Sequence, residues 1–206
     1  MITLTRFITG PIETNTYLVS NDKGKCVVVD PASGCGEILR KIKKEPLDVE
    51  AIVLTHAHFD HITGIPELID AFGDLPVYVH PLEAAFLADA RLNGSVWFGE
   101  SFTCSVKTNE LNEGKQRIGS FEFGVLHAPG HTPGGCALVI DENCLCGDAL
   151  FAGGIGRSDL PGGDGNQLIA SIKTKLLPLP DSTVVWPGHG NRTTIGREKK
   201  SNPFLL

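Results

Sequence analysis

Residues 2–9 (ITLTRFIT), 16–20 (TYLVS) and 26–30 (CVVVD) are apolar-rich, β-branched stretches separated by the turn-forming runs TGPIETN and NDKGK, and they predict a β-meander. The period then changes. In EILRKIKKE, Ile38, Leu39 and Ile42 fall on one face of a helix that Pro46 brings to an end. The short apolar run EAIVLT predicts a buried strand, followed by a helix over 64–72, a strand over 76–79 and a helix over 82–90. Residues 91–116, including NGSVWFGESF, have no clear period and are expected to wrap the surface near the mouth of a site. Strands are predicted over 117–127, 136–140, 144–147 and 183–186, with a helix over 164–177. Two strand-rich halves with interspersed helices predict an α/β (α+β) sandwich of two mixed sheets, each covered on its outer face by helices, within a single domain spanning residues 1–206.

Charge narrows the choice of partner. Eighteen Lys and Arg against 24 Asp and Glu give a net charge of −6, with no basic stripe to neutralise phosphates, so nucleic acid is not an expected partner. The Arg197 to Lys200 cluster reads as a solvated helix end. No apolar run approaches the roughly 20 residues of a membrane span, and the N-terminus lacks the pattern of a secretory signal; a cytoplasmic protein without membrane partners is expected. The six Cys lack CxxC spacing and are expected to be reduced and buried, with Cys144 and Cys146 on one face of their strand. The composition leaves the oligomeric state open.

THAHFDH, residues 55–61, concentrates three of the seven histidines beside an aspartate. Crowded imidazoles compete for hydrogen-bond partners unless a cation sits between them. In an extended segment His56 and His58 point to one side and can approach a single ion, whereas a turn would aim the adjacent Asp60 and His61 elsewhere, toward a second. His131 in VLHAPGHTPGG, Asp148 in LCGDALF and His189 in VVWPGHGN each lie where a strand runs out into a turn, the place where α/β architectures collect ligands. Five imidazoles and two carboxylates suit zinc, and also admit iron or manganese. His80 is expected to hydrogen-bond locally and His127 to support a ligand from behind. Asp30 could orient a ligating histidine or cap the DPASG turn.

THAHFDH, GHTPGG, GDALF and GHG, in that order, resemble the HxHxDH and following motifs of the metallo-β-lactamase superfamily across nearly the whole chain. GIGRSDLPGGD is similar to the corresponding phrase in short bacterial members of its glyoxalase II (hydroxyacylglutathione hydrolase) group. The resemblance implies a four-layer αββα sandwich holding two divalent metal ions. His56, His58 and His131 would bind one, Asp60, His61 and His189 the other, and Asp148 would bridge them. The implied reaction is attack of a metal-bound hydroxide, oriented by Asp60, on a small-molecule thioester such as an S-(2-hydroxyacyl)glutathione. Asp at the position where true β-lactamases of the superfamily typically have Cys weighs against antibiotic hydrolysis.

Two departures from the family pattern bear on the substrate. Arg157 and Asp159 stand where longer glyoxalase II enzymes supply Lys and Tyr to glutathione: Arg157 is the candidate substrate-binding residue, and an Arg157–Asp159 pair bracing its own loop is the alternative. The chain is also expected to lack the C-terminal helical domain of those enzymes. Competing activities within the same resemblance are a mononuclear-iron persulfide dioxygenase, using His56, His131 and Asp148, and a lactone or other ester hydrolase.

Overall fold

A computed structural model describes residues 1–206. The first half contains β1 (Ile2–Thr9), β2 (Thr14–Asn21), β3 (Lys25–Val29), α1 (Gly36–Lys44), β4 (Asp48–Val53), α2 (Ile65–Phe72), β5 (Val77–Val79), α3 (Ala84–Ala88) and β6 (Thr108–Glu110). The second contains β7 (Gly114–Ile118), β8 (Phe121–His127), β9 (Cys136–Ile140), β10 (Asn143–Gly147), the short hairpin β11 (Leu150–Phe151) and β12 (Gly154–Ile155), α4 (Gly165–Ser171), β13 (Val184–Pro187), β14 (Thr193–Thr194) and α5 (Ile195–Ser201). One sheet runs β1-β2-β3-β4-β5-β6 and the other β14-β13-β10-β9-β8-β7.

Alternation along the strands sorts the side chains into three apolar layers. Val27 and Val29 point inward to meet Phe121, Phe123 and Leu145 of the opposite sheet, while Cys26 and Val28 point outward to Ile38 and Ile42 of α1. On β10 the relation is mirrored: Leu145 is inward, and Cys144 and Cys146 face outward with Leu168 and Ile195, sharing one face as their spacing predicts. Three apolar layers between four layers of secondary structure make the αββα sandwich expected from the sequence. Each fully buried aliphatic side chain contributes roughly 1.5–3 kcal/mol of transfer free energy. All six cysteines are free and buried. No helix is long and apolar enough to cross a membrane.

Several elements depart from the sequence expectation. The single strand predicted over 117–127 is two strands, because Gly119, at φ +54°, opens a two-residue turn that pairs Ile118 with Phe121. The helix predicted over 82–90 breaks up: Pro81 opens a 3-10 turn whose start is capped by His80 Nδ1 accepting from Leu82 N at 3.3 Å, and Asp89 leaves helical geometry and accepts from Arg91 N and Leu92 N instead. Residues 91–116 hold more order than their missing period suggests, including β6, the start of β7 and a 3-10 turn, Ser95–Phe98, between Gly94 and Gly99, both left-handed. The helix predicted over 164–177 is α4 running on through a π turn, Ile172–Leu176.

Strand direction places the functional loops. β3 and β4 are parallel, as are β10 and β13, and β8 runs antiparallel to β9, which runs antiparallel to β10. The C-terminal ends of β8, β10 and β13 therefore share one edge of their sheet, which is where crossover topologies open a crevice.

Candidate metal centre

THAHFDH leaves β4 and turns into a 3-10 helix, Phe59–His61, which rotates Asp60 and His61 away from the direction of His56 and His58. The ligand-bearing atoms of His56, His58 and His131 lie within 4.8 Å of one another, and so do those of Asp60, His61 and His189. Asp148 stands between the two groups: its Oδ1 is 3.5 Å from His61 Nε2, and its Oδ2 is 3.6 Å from both His131 Nε2 and His189 Nε2. All seven residues singled out from the sequence thus converge on one spot. A third grouping of Asp30, His56 and His61 falls within the same spread, but the Asp30 oxygens already accept from Thr55 N at 2.7 Å and Thr55 Oγ1 at 2.6 Å.

The donor atoms fit a cation. His56 Nε2, His61 Nε2 and Asp148 Oδ1 are buried without a hydrogen-bond partner, a costly state for polar atoms that a metal ion would relieve. His131 Nδ1 donates to the Arg157 carbonyl at 2.7 Å, which leaves its Nε2 with a lone pair, 2.9 Å from His58 Nδ1. His61 Nδ1 lies 3.1 Å from Asp30 Oδ2. Asp30 itself sits at φ +51° at the end of β3, so it both makes the turn and backs a candidate ligand.

Without a cation, the cluster divides into neutral and charged rings. Burial pushes His56 well below the usual imidazole range, reinforced by His61 and His131, and takes His58 down to about 3, with His131 next in importance. Burial opposes the charge on His61 too, but Asp60 and Asp148 outweigh it and hold the imidazolium. Asp60 would be raised by its burial, yet His61 and the hydrogen bond from His189 keep its carboxyl well below the ordinary carboxylate range.

Several supporting residues were not legible in the sequence. Thr14, within a stretch that reads as a turn, starts β2 and donates to Asp60 Oδ2 at 3.0 Å. Asn15 Nδ2 donates to the Pro187 and Gly190 carbonyls, and Tyr17 Oη donates to Pro187 O at 2.6 Å, so β2 fastens the loop carrying His189. Gly188 could not carry a side chain, because a Cβ there would collide with Asp148 Oδ1 and His61 Cε1. Motif spacing could not have pointed to Thr14, Asn15 or Tyr17, since each acts across more than 40 residues of chain.

Above the donors opens a cavity of about 310 Å³. His58, Asp60, His131, Asp148 and His189 form its floor, and Ile12, Phe59, Phe98, Phe151 and Leu160 its apolar wall. Asn93, Gly94 and Phe98 bring the aperiodic 91–116 stretch to the mouth, as expected. Arg157 is the one cationic side chain in the lining, and it is bound bidentately to Asp159 at 2.7 and 2.8 Å, the loop-bracing alternative.

The sequence model of the metallo-β-lactamase superfamily matches residues 9–189, which takes in both groups of donors. The chain belongs to the metallo-β-lactamase superfamily. Among superfamily relatives, a probable metallo-hydrolase, YqgX, of Bacillus subtilis is 42% identical over 205 residues, covering 97% of this chain and 96% of the relative. The hydroxyacylglutathione hydrolase GloC of Haemophilus influenzae is 36% identical, covering 94% of this chain and 93% of GloC. Two solved structures are closely similar: BLEG-1 B3 metallo-β-lactamase (42% identity, TM-score 0.94, covering 99% of this chain and 100% of BLEG-1) and TTHA1623 in a di-iron-bound form (41%, 0.87, 98% and 100%). Members of the superfamily typically bind two metal ions, and this chain is a metallo-hydrolase of that family.

Proposed function

We propose that the protein hydrolyses small acyl thioesters, with S-(2-hydroxyacyl)glutathiones as the first substrates to test. His56, His58 and His131 would hold one divalent cation and Asp60, His61 and His189 a second, with Asp148 shared between them; zinc suits this all-nitrogen-and-oxygen donor set, and iron is the alternative that the di-iron relative supports. When bound, such a pair lowers the pKa of water to near neutrality and polarises an acyl carbonyl.

The protein's own residues arrange the rest. Thr14, His61 and His189 all meet Asp60 on Oδ2, which leaves Oδ1 free of those three contacts, and Asp60 lines the cavity, where its carboxylate would orient the attacking water. The wall of Ile12, Phe59, Phe98, Phe151 and Leu160 shelters the acyl group from bulk water.

The observation that carries the thioester reading is the absence of a general acid among the lining residues. Besides the candidate ligands, the cavity offers only Asn93 and an Arg157 already paired with Asp159. A thiol, with a pKa of about 8.5, departs as thiolate with little proton assistance, whereas an alkoxide or amine does not. The GloC relationship supports the same reading.

The test is to measure bound Zn, Fe and Mn and to assay lactoylglutathione, a chromogenic β-lactam and glutathione persulfide with oxygen consumption side by side. BLEG-1 makes the β-lactam arm necessary despite the Asp at position 148. Thioester turnover that is lost in His58→Ala and Asp148→Ala is expected; oxygen uptake or β-lactam opening without thioester cleavage would overturn the proposal.

A further inference from the structure

Glu83 has no solvent exposure, lies outside the phrases THAHFDH, GHTPGG, GDALF, GHG and GIGRSDLPGGD, and is not among the candidate ligands. Its Oε2 accepts from Ala57 N at 2.9 Å, and its Oε1 from Gly134 N at 2.7 Å. Ala57 is the residue between His56 and His58, and Gly134 belongs to the turn that follows His131. One carboxylate therefore joins the loop leaving β4 to the loop leaving β8, two segments of different sheets that supply all three donors of one group.

The joint is closely packed. A Cβ at Gly134 would lie 2.7 Å from Glu83 Cγ and 2.8 Å from His80 Nδ1. His80 stacks on His127 at 4.3 Å between ring centroids, and His127 Nε2 is 3.0 Å from the carbonyl oxygen of Pro133, next to Gly134. Side-chain carboxylates are seldom wholly buried unless their partners are fixed, and both partners here are backbone N–H groups of ligand-bearing loops.

We infer that Glu83 is a positioning residue for the metal centre, setting the distance of His56 and His58 from His131 by holding the backbones of both loops. The inference rests on the reading of those three histidines as donors to one cation. It assigns Glu83 to that site: Asp60 and His61 lie further along the same loop, past the start of the 3-10 turn Phe59–His61, and His189 sits on a loop that Glu83 does not touch.

In Glu83→Gln the amide oxygen keeps one of the two N–H groups and the amide nitrogen confronts the other, so the span between the loops relaxes with little change in volume. Removing a partner that orients a metal site costs about 10- to 100-fold in metal affinity. Glu198, equally buried, is the control: it accepts from Gly153 N, Thr193 Oγ1 and Asn202 Nδ2, and none of these is a ligand-bearing residue. Stepwise cation binding would be followed by chelator competition, with cobalt(II) absorption reporting the ligand field, beside thermal denaturation of the metal-free proteins.

Glu83→Gln is expected to lose one of the two binding steps by at least about tenfold and to shift the cobalt spectrum, while Glu198→Gln lowers the melting temperature and leaves both steps intact. If Glu83→Gln does not fold, Gly134→Ala strains the same joint from the other side and is expected to weaken the same step. Equal binding by wild type and the folded Glu83 variant, or an equal loss at both steps, would overturn the inference. A wild-type protein that binds no cation would instead overturn the reading of the donors themselves.

Discussion

Replacing Asp30 by Asn isolates the charge behind His61 from everything else at that position. Asn is nearly isosteric with Asp and tolerates the φ of +51° observed at Asp30, so the backbone need not rearrange. Three contacts change. The bond from Thr55 N at 2.7 Å becomes neutral, a loss of about 1 kcal/mol. Thr55 Oγ1, at 2.6 Å, can turn from donor to acceptor toward the new amide, at a cost of up to about 1 kcal/mol. His61 Nδ1, 3.1 Å away, is left facing an N–H where it had a carboxylate, which costs about 1–3 kcal/mol because both groups are buried. Together these come to roughly 3 kcal/mol. For a chain of this size that corresponds to a melting temperature lower by about 6–12 °C. Because His61 also loses its orientation, metal affinity should fall about 10- to 100-fold. Differential scanning calorimetry with metal analysis reads both quantities. An Asn variant that melts within 2 °C of wild type (against the roughly 6–12 °C expected) and keeps its metal would refute the claim that the Asp30 charge braces His61.

Three further expectations concern the same region. His58 is held down to about 3 by burial, whereas in the unfolded chain it protonates near 6.5, so the unfolded state binds the extra proton between those values; metal-free protein should lose stability as pH falls from about 6.5 toward 3, and His58→Gln should flatten that part of a urea-midpoint profile. Chelation should lower the melting point by an amount that grows with the free metal concentration of the reference sample, about 2.7 kcal/mol per site at a hundredfold excess over Kd; no change on chelation would show that no cation is bound. Asp159, whose carboxyl the Arg157 guanidinium lowers to about 2, occupies that guanidinium at the cavity rim. Asp159→Asn should reduce KM for the anionic lactoylglutathione about two- to fivefold and leave KM for an uncharged thioester unchanged, as steady-state kinetics on the two substrates would reveal.

What was legible in the sequence was local: the strand-like and period-3.6 stretches, the meander at the start, the shared face of Cys144 and Cys146, and seven candidate ligands in four short phrases. These are visible because strand alternation and turn chemistry depend on neighbours a few residues away. The splitting of 117–127 was hidden by its continuity, since one Gly in an apolar run marks a bulge as readily as a hairpin. The break in 82–90 came from Pro81 and Asp89 competing with an otherwise helical pattern.

Tertiary structure alone decided which strand ends share an edge, and hence that His131, Asp148 and His189 reach THAHFDH. It also recruited Thr14, Asn15, Tyr17 and Glu83, residues whose types are common in turns, strands and helices and whose partners lie between 26 and 175 positions away. The physical reason is that a hydrogen bond to a distant backbone group leaves no periodic trace in the chain. Its partner exists only once the two sheets have packed and water has been excluded from the space between them.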